Sequence, residues 1–378
     1  MKRNVAAQYV FAPPDVPCSA ADRKRCVLVA SLRHVKKTGC TAMKQTREDI
    51  RKEKTMLKGS YKSIDGPKEI SKIVMGALTM GCVQTLDESF AILDRYIELG
   101  GNMIDTGRSY FGEVYNGDSK SEYTVGKWLK KSGMRDKIIL STKGGYPELR
   151  DMHYSRLSPD CLRYDINTSL AVLDEEYVDM WILHRDDEKI PVDEIMDAAN
   201  EAVESGFTKA LGASNWSTKR IQAANEWAKK NGKTPFTISQ ILWNMAYVTK
   251  DMLSDDTLVS MQPDDYAWYK ENKFPVMAYS SQAVGFFSLY PKLGVDGLIA
   301  RGKLYATETN IKRSKLADEI CAELGITPAQ LSMAYLTNNA VDGYAIVGCQ
   351  TVAELEDTLS AADLKVDPAL LEKIENCI

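Results

Sequence analysis

The sequence predicts an α/β protein built as a closed (β/α)8 TIM barrel, and three observations carry that expectation. From residue 71 onward, eight short apolar runs of strand length alternate with segments of helical spacing, a rhythm that implies a parallel sheet. No Gly-x-Gly-x-x-Gly follows the first of these strands, which favours a closed barrel over an open dinucleotide-binding sheet. The length, 378 residues of which 44% are hydrophobic and 26% charged, accommodates one barrel of roughly 250–320 residues plus an extra segment.

The elements follow in order. Ile73-Val74-Met75 is strand-like, and Asp87 to Leu99 has helical spacing closed by Gly100-Gly101. Asn102 to Asp105 is the second strand, followed by a polar loop and a helix over Glu122 to Lys131. Lys137 to Thr142 reads as the third strand, and Ser158-Pro159 opens a helix in the N-cap, N1 arrangement. Val178 to Leu183 is the fourth strand, with a helix over Val192 to Ser205 closed by Gly206. Ala210 to Ala213 is the fifth, and Ser217 caps a helix that runs to Lys230. Phe236 to Leu242, Val276 to Tyr279 and Tyr344 to Val347 complete the set.

The extra segment is N-terminal. Residues 1–55 hold 13 Lys+Arg and 5 Asp+Glu, a net of +8, against 35 and 47, a net of -12, in the rest of the chain. The arm lacks apolar periodicity and reads as a basic, disordered extension, with Met56 or Met43 as an alternative natural start and residues 56–378 as the barrel domain. The overall net of -4 gives no reason to expect a nucleic-acid partner. No run approaches the ~20 apolar residues of a membrane helix. The 8 cysteines form no CxxC pair and the histidines number only 3, so no metal site is expected and the composition suits a reducing cytoplasm.

In such a barrel the reacting groups belong at the C-terminal ends of the strands, and polar residues recur there. Asp105 ends the second strand, Lys143 follows the third and His184 the fourth. Ser214-Asn215 follows the fifth, Gln240 lies on the sixth, and Tyr279-Ser280-Ser281 ends the seventh. Tyr110 lies five residues beyond Asp105, close enough to fold over the same mouth. A tyrosine with a pKa of about 10 is a poor acid at neutral pH. A neighbouring ammonium, held by a carboxylate, is expected to lower that pKa and make Tyr110 a proton donor to a carbonyl oxygen. Neutral His184 can donate to the same oxygen. Such a set supplies no electrons, so a hydride donor is needed and a nicotinamide cofactor is the natural candidate.

Six segments, IDTGRSY, KSEYTVGKWL, ILSTKGG, DMWILHRDD, LGASNWS and AIVGCQT, stand in the order and at the strand ends in which this chain resembles the aldo-keto reductases, across roughly residues 68–370. The stretch TKGGYPELRDMHYSRLSP with LHRDD and SSQAVGFF is similar to bacterial members acting on small or sugar-like carbonyls. The resemblance implies Asp105, Tyr110, Lys143 and His184 as a catalytic tetrad and NAD(P)H as cofactor. It implies that Ser214, Asn215 and Gln240 hold the nicotinamide carboxamide and that Tyr279 stacks on the ring. Ser280 and Gln282 would reach the pyrophosphate, and the segment Gly348 to Asp357 the adenosine half. NADPH-preferring members place Arg or Lys in that last segment, whereas this chain has Gln350 and Glu354. A carboxylate repels a phosphate but accepts from a ribose hydroxyl, so NADH is expected to be accepted at least as well as NADPH.

Trp216 and Trp243 stand beside the proposed nicotinamide ligands, where they could line a substrate pocket or pack the rim. Arg185-Asp186-Asp187 reads as a solvated charge cluster. Glu113 to Lys120 is a polar loop at the mouth. The expected function is reduction of an aldehyde or ketone, or oxidation of the alcohol, by direct hydride transfer, with a sugar-like carbonyl slightly favoured. Two other classes compete: a Schiff-base aldolase using Lys143, and a nucleotide-sensing regulatory subunit.

Overall fold

A computed structural model describes residues 56–111, 119–147 and 151–377. The N-terminal arm and most of the Glu113–Lys120 loop therefore lie outside the described residues. The chain opens with an antiparallel hairpin, β1 (Lys58–Ser63) and β2 (Gly66–Ser71). Eight parallel strands follow: β3 (Ile73–Gly76), β4 (Met103–Asp105), β5 (Ile139–Gly144), β6 (Met180–Leu183), β7 (Leu211–Ser214), β8 (Phe236–Leu242), β9 (Val276–Tyr279) and β10 (Gly343–Val347). They close into a barrel in the order β10-β3-β4-β5-β6-β7-β8-β9. The expected strands are all present, within two residues at each end.

Of the six crossovers between β3 and β9, four begin with a helix capped by a Ser or Thr side chain. After β3, α1 (Leu86–Glu98) starts at Thr85 with a reciprocal capping box to Glu88. After β4, α2 (Lys120–Ser132) is capped by Ser119 and stopped by Gly133 in the left-handed region. α3 (Pro159–Leu173) starts at Ser158 with Pro159 at N1. α4 (Val192–Glu204) and α5 (Thr218–Asn231, capped by Ser217) follow β6 and β7. α6 (Pro263–Asn272) follows β8. Between β9 and β10 lie α7 (Phe286–Leu293), α8 (Ala300–Lys303), α9 (Glu308–Leu324) and α10 (Pro328–Thr337), and α11 (Val352–Leu359) and α12 (Pro368–Glu375) end the chain. No helix among the described residues is long and apolar enough to cross a membrane.

The β1–β2 hairpin is the element that sequence reasoning missed. Its Asp65-Gly66 turn uses Gly66 at φ 98°, a conformation glycine adopts without strain. Only Tyr61 and Ile70 carry its packing, and both join a buried cluster with Val74, Met103, Met180, Ile182, Ala210, Ile238, Met277 and Tyr344. That cluster is the barrel's interior floor. Residues one step out of phase, such as Ile104, Leu140, Trp181 and Ile241, belong to the larger core between strands and helices.

Candidate active site

Side chains alternate along a strand, so a residue two positions beyond a floor residue points into the same interior, one layer higher. Met103 leads to Asp105, Ile182 to His184, Ile238 to Gln240 and Met277 to Tyr279; Ser141 leads to Lys143 on β5. The polar layer follows from strand periodicity once the apolar layer beneath it is fixed.

Asp105 and Lys143 form the centre. Lys143 Nζ donates to Asp105 Oδ2 at 2.5 Å and to the Thr106 carbonyl at 2.7 Å. The other carboxylate oxygen accepts from Ser141 Oγ at 2.8 Å and Gln240 Nε2 at 3.2 Å. Both charges are buried, with Lys143 0% and Asp105 2% exposed, so each depends on the other for compensation. Burial opposes the charge on Lys143, but Asp105 and Tyr110 outweigh it and raise the ammonium's pKa.

Tyr110 sits over this pair, hydrogen-bonded to Lys143, with the ammonium 4.7 Å from its ring centroid. Its pKa is nevertheless raised: burial dominates, and the lowering by Lys143 does not overcome it. The expected depression of the phenol's pKa is thus corrected, because desolvation of a phenolate costs more here than one already paired ammonium returns. The phenol keeps its proton, which suits donation to a carbonyl oxygen.

His184 lies beside Tyr110, ring centroids 5.8 Å apart and edge-on. Its backbone N–H donates to the Gly144 carbonyl at 2.8 Å, fixing it against β5. Burial first, then Arg185 and Lys143, hold the imidazole's pKa well below its ordinary value, so it is neutral. The Ser109 hydroxyl is 3.5 Å from Nδ1. Sequence reasoning missed Tyr146, whose ring lies 4.7 Å from that of His184, and gave Arg185 to solvent, whereas its side chain is 8% exposed. Asp186 likewise is no solvated charge; it forms a two-pronged pair with Arg220 at 2.8 Å for each bond.

Ser214, Asn215, Gln240 and Tyr279 converge on the adjoining wall. Asn215 takes φ 59°, and its Oδ1 accepts from the Tyr279 hydroxyl at 2.7 Å and the Val259 N–H at 3.1 Å. Its Nδ2 donates to Ser214 Oγ at 3.0 Å. After β9 the backbone enters the left-handed region at Ser280, Ala283, Val284 and Gly285 (φ 53°, 48°, 55° and 76°). Three non-glycine residues so placed within one short loop store strain, a feature of ligand-binding turns. A side chain added at Gly348 would meet nothing within 4 Å, leaving open space beside the start of α11. There Glu354 accepts from the Gln350 N–H at 2.8 Å, its carboxylate closing the helix N-terminus that would otherwise attract an anion. Asp357, also assigned to the adenosine half, is exposed farther along α11. Gln282 stands in the strained loop, its carbonyl accepting from the Gly285 N–H at 2.8 Å.

The two tryptophans are buried. Trp216 is 0% and Trp243 2% exposed. Trp216 packs edge-on against Phe236 and donates its indole N–H to the Arg185 carbonyl at 3.2 Å. Trp243 packs against Tyr266 and Tyr335, turned toward the helical layer. Among the described residues no group of His, Cys, Asp and Glu could hold a metal ion.

The model of the Aldo/keto reductase family matches residues 72–378. A probable aryl-alcohol dehydrogenase of Saccharomyces cerevisiae is 26% identical over 306 residues, covering 77% of this chain and 88% of the relative. A norsolorinic acid reductase of Emericella nidulans is 26% identical, covering 78% and 73%. An aryl-alcohol dehydrogenase [NADP(+)] of Phanerodontia chrysosporium is 25% identical, covering 82% and 83%. These relatives are fungal, and their names speak of aryl alcohols and norsolorinic acid. The expected kinship with bacterial enzymes of sugar-like carbonyls is corrected accordingly.

Proposed function

The chain belongs to the aldo/keto reductase family, and from that premise we propose that it reduces an aromatic aldehyde or ketone to the alcohol, and runs the reverse oxidation, with a bound nicotinamide cofactor. The observation that carries this reading is the buried Asp105–Lys143 pair beneath Tyr110, with neutral His184 at its side. A carbonyl oxygen between the phenol and the imidazole receives a hydrogen bond from His184 and a proton from Tyr110. Lys143 holds charge next to the phenol and stabilises the phenolate left behind. Asp105, fixed by Ser141 and Gln240, keeps Lys143 in place.

The residues around the mouth fit a nicotinamide cofactor. Ser214, Asn215 and the Tyr279 ring form a polar and aromatic wall, the strained loop from Ser280 presents backbone, and Gly348 leaves open space. When bound, the cofactor supplies the hydride. The aromatic substrate class is supported by the rings of Tyr110 and Tyr146 flanking His184 and by the relatives named for aryl alcohols. An imine-forming aldolase is disfavoured, since its lysine must be neutral and reachable, while Lys143 is charged and fully buried.

The test is a comparison of kcat/KM for a substituted benzaldehyde and for an aldose, with Tyr110→Phe as the inactive control. The benzaldehyde is expected to be the better substrate, and Tyr110→Phe to lower its turnover by about 10²–10⁴ while leaving cofactor fluorescence quenching intact. Full activity in the Phe variant would refute the assigned role.

A further inference from the structure

We infer that Arg185 is a positioning residue, which keeps His184 neutral and its ring fixed so that the imidazole can serve as hydrogen-bond donor. The inference rests on the carbonyl-reductase reading for its purpose, although its physical content does not.

The three groups stand in a row. The Arg185 guanidinium carbon lies 5.2 Å from the Tyr146 ring centroid, and the Tyr146 ring lies 4.7 Å from that of His184. The guanidinium is anchored on all sides: Nη1 donates to the His184 carbonyl at 2.9 Å, Nε to Thr257 Oγ1 at 3.0 Å, and Nη2 to Asp255 Oδ2 at 3.4 Å. Thr257 and Asp255 lie in the connection after β8, so one side chain ties that connection to the end of β6. The Arg185 carbonyl accepts from Trp216, and the Asn215 amide donates to the His184 carbonyl at 3.4 Å.

The charges around His184 can be named from every side. From β4 and its loop come Asp105 and Tyr110, from β5 and its loop Lys143 and Tyr146, from its own connection Arg185, and from the β8 connection Asp255. Lys143 is tightly paired with Asp105 at 2.5 Å, while Arg185 meets Asp255 at 3.4 Å through one nitrogen. The cation less fully compensated is therefore Arg185. A guanidinium stays charged at any pH a protein survives, and in a buried site its repulsion of an imidazolium is poorly screened. Consistently, Arg185 ranks ahead of Lys143 among the charges that depress His184's proton affinity.

Protonation of His184 can be followed directly, because the chain has only 3 histidines. The full-length protein is labelled on the histidine ring and titrated by NMR between about pH 5 and 8; His184→Asn identifies the signals. Wild-type His184 is expected to stay neutral to the acid end. In Arg185→Gln its midpoint should rise by about one pH unit or more, a tenfold change in proton affinity. Arg185→Lys, which restores the charge, should bring it back toward wild type. A merely structural tie predicts the same shift in both variants, and that result, or no shift in Arg185→Gln, would overturn the inference. Should Arg185→Gln fail to fold, Asp255→Asn takes its place: stripping the counter-charge strengthens the field, so His184 must stay neutral, and a raised midpoint would overturn the inference. The titration needs no substrate, so it stands apart from the assay of carbonyl reduction; where turnover is found, the acid limb of kcat/KM should move with the NMR midpoint.

Discussion

Replacing Glu122 by glutamine should make the protein progressively more stable than wild type as pH rises. Glu122 is on α2 and fully buried, with one carboxylate oxygen accepting from the Thr142 hydroxyl of β5. Burial, only partly offset by that bond, pushes its pKa up to about 7 from an ordinary 4.5. In the unfolded chain the carboxyl ionises above about pH 4.5, while in the barrel it stays protonated until about pH 7. Its contribution to stability is therefore complete below the lower value and lost as pH rises through the upper one. A shift of about 2.5 units corresponds to about 3 kcal/mol. Glutamine keeps an oxygen for Thr142 and cannot ionise, so the difference between variant and wild type should grow by about 3 kcal/mol between pH 5 and about 8. Urea unfolding followed by tryptophan fluorescence at several pH values measures it. Parallel stability curves would show that Glu122 is not a buried neutral acid.

Lys143→Met should leave Asp105 charged and unpartnered by any cation, costing about 3–5 kcal/mol, and adding Asp105→Asn should recover part of it; thermal melts of the single and double variants decide, and an unchanged single variant would remove the pair from the centre of the site. Gly126→Ala should destabilise by about 1–3 kcal/mol, since its Cβ would lie 2.3 Å from the Leu173 carbonyl oxygen where α2 crosses α3; a neutral result in urea unfolding would contradict that close approach. With Glu354 closing the α11 N-terminus, NADH should bind at least as tightly as NADPH, and fluorescence quenching that shows NADPH tenfold tighter would reject it.

Much of the barrel was legible because each strand is a short, fully buried apolar run between caps and glycines. The β1–β2 hairpin was not, since Lys58–Ser63 and Gly66–Ser71 are mostly charged or polar and only Tyr61 and Ile70 face the core; its sole local signal was Asp65-Gly66. The clustering of Asp105, Tyr110, Lys143 and His184 at one rim was readable from spacing, and Ser141 could have been added by stepping two residues back from Lys143. The Arg185–Asp255 contact joins residues 70 positions apart, and no local pattern announces it. The direction of Trp216 and Trp243 depends on how the segments after β7 and β8 turn, which residue type does not encode. The balance at Tyr110 was misjudged because burial, unlike the presence of a lysine, cannot be counted in a sequence.

The apolar floor beneath the polar layer, capped by Tyr61 and Ile70 of the hairpin, has a kinetic consequence. The interior is solid there, so guests reach the polar layer from the opposite rim. Where two guests share a single doorway, the one seated deeper must enter first and leave last. On the proposed reading, a cofactor along the β7–β9 wall with a carbonyl compound closing over it at Tyr110 would follow a compulsory sequence of binding and release, set by a floor that touches neither guest.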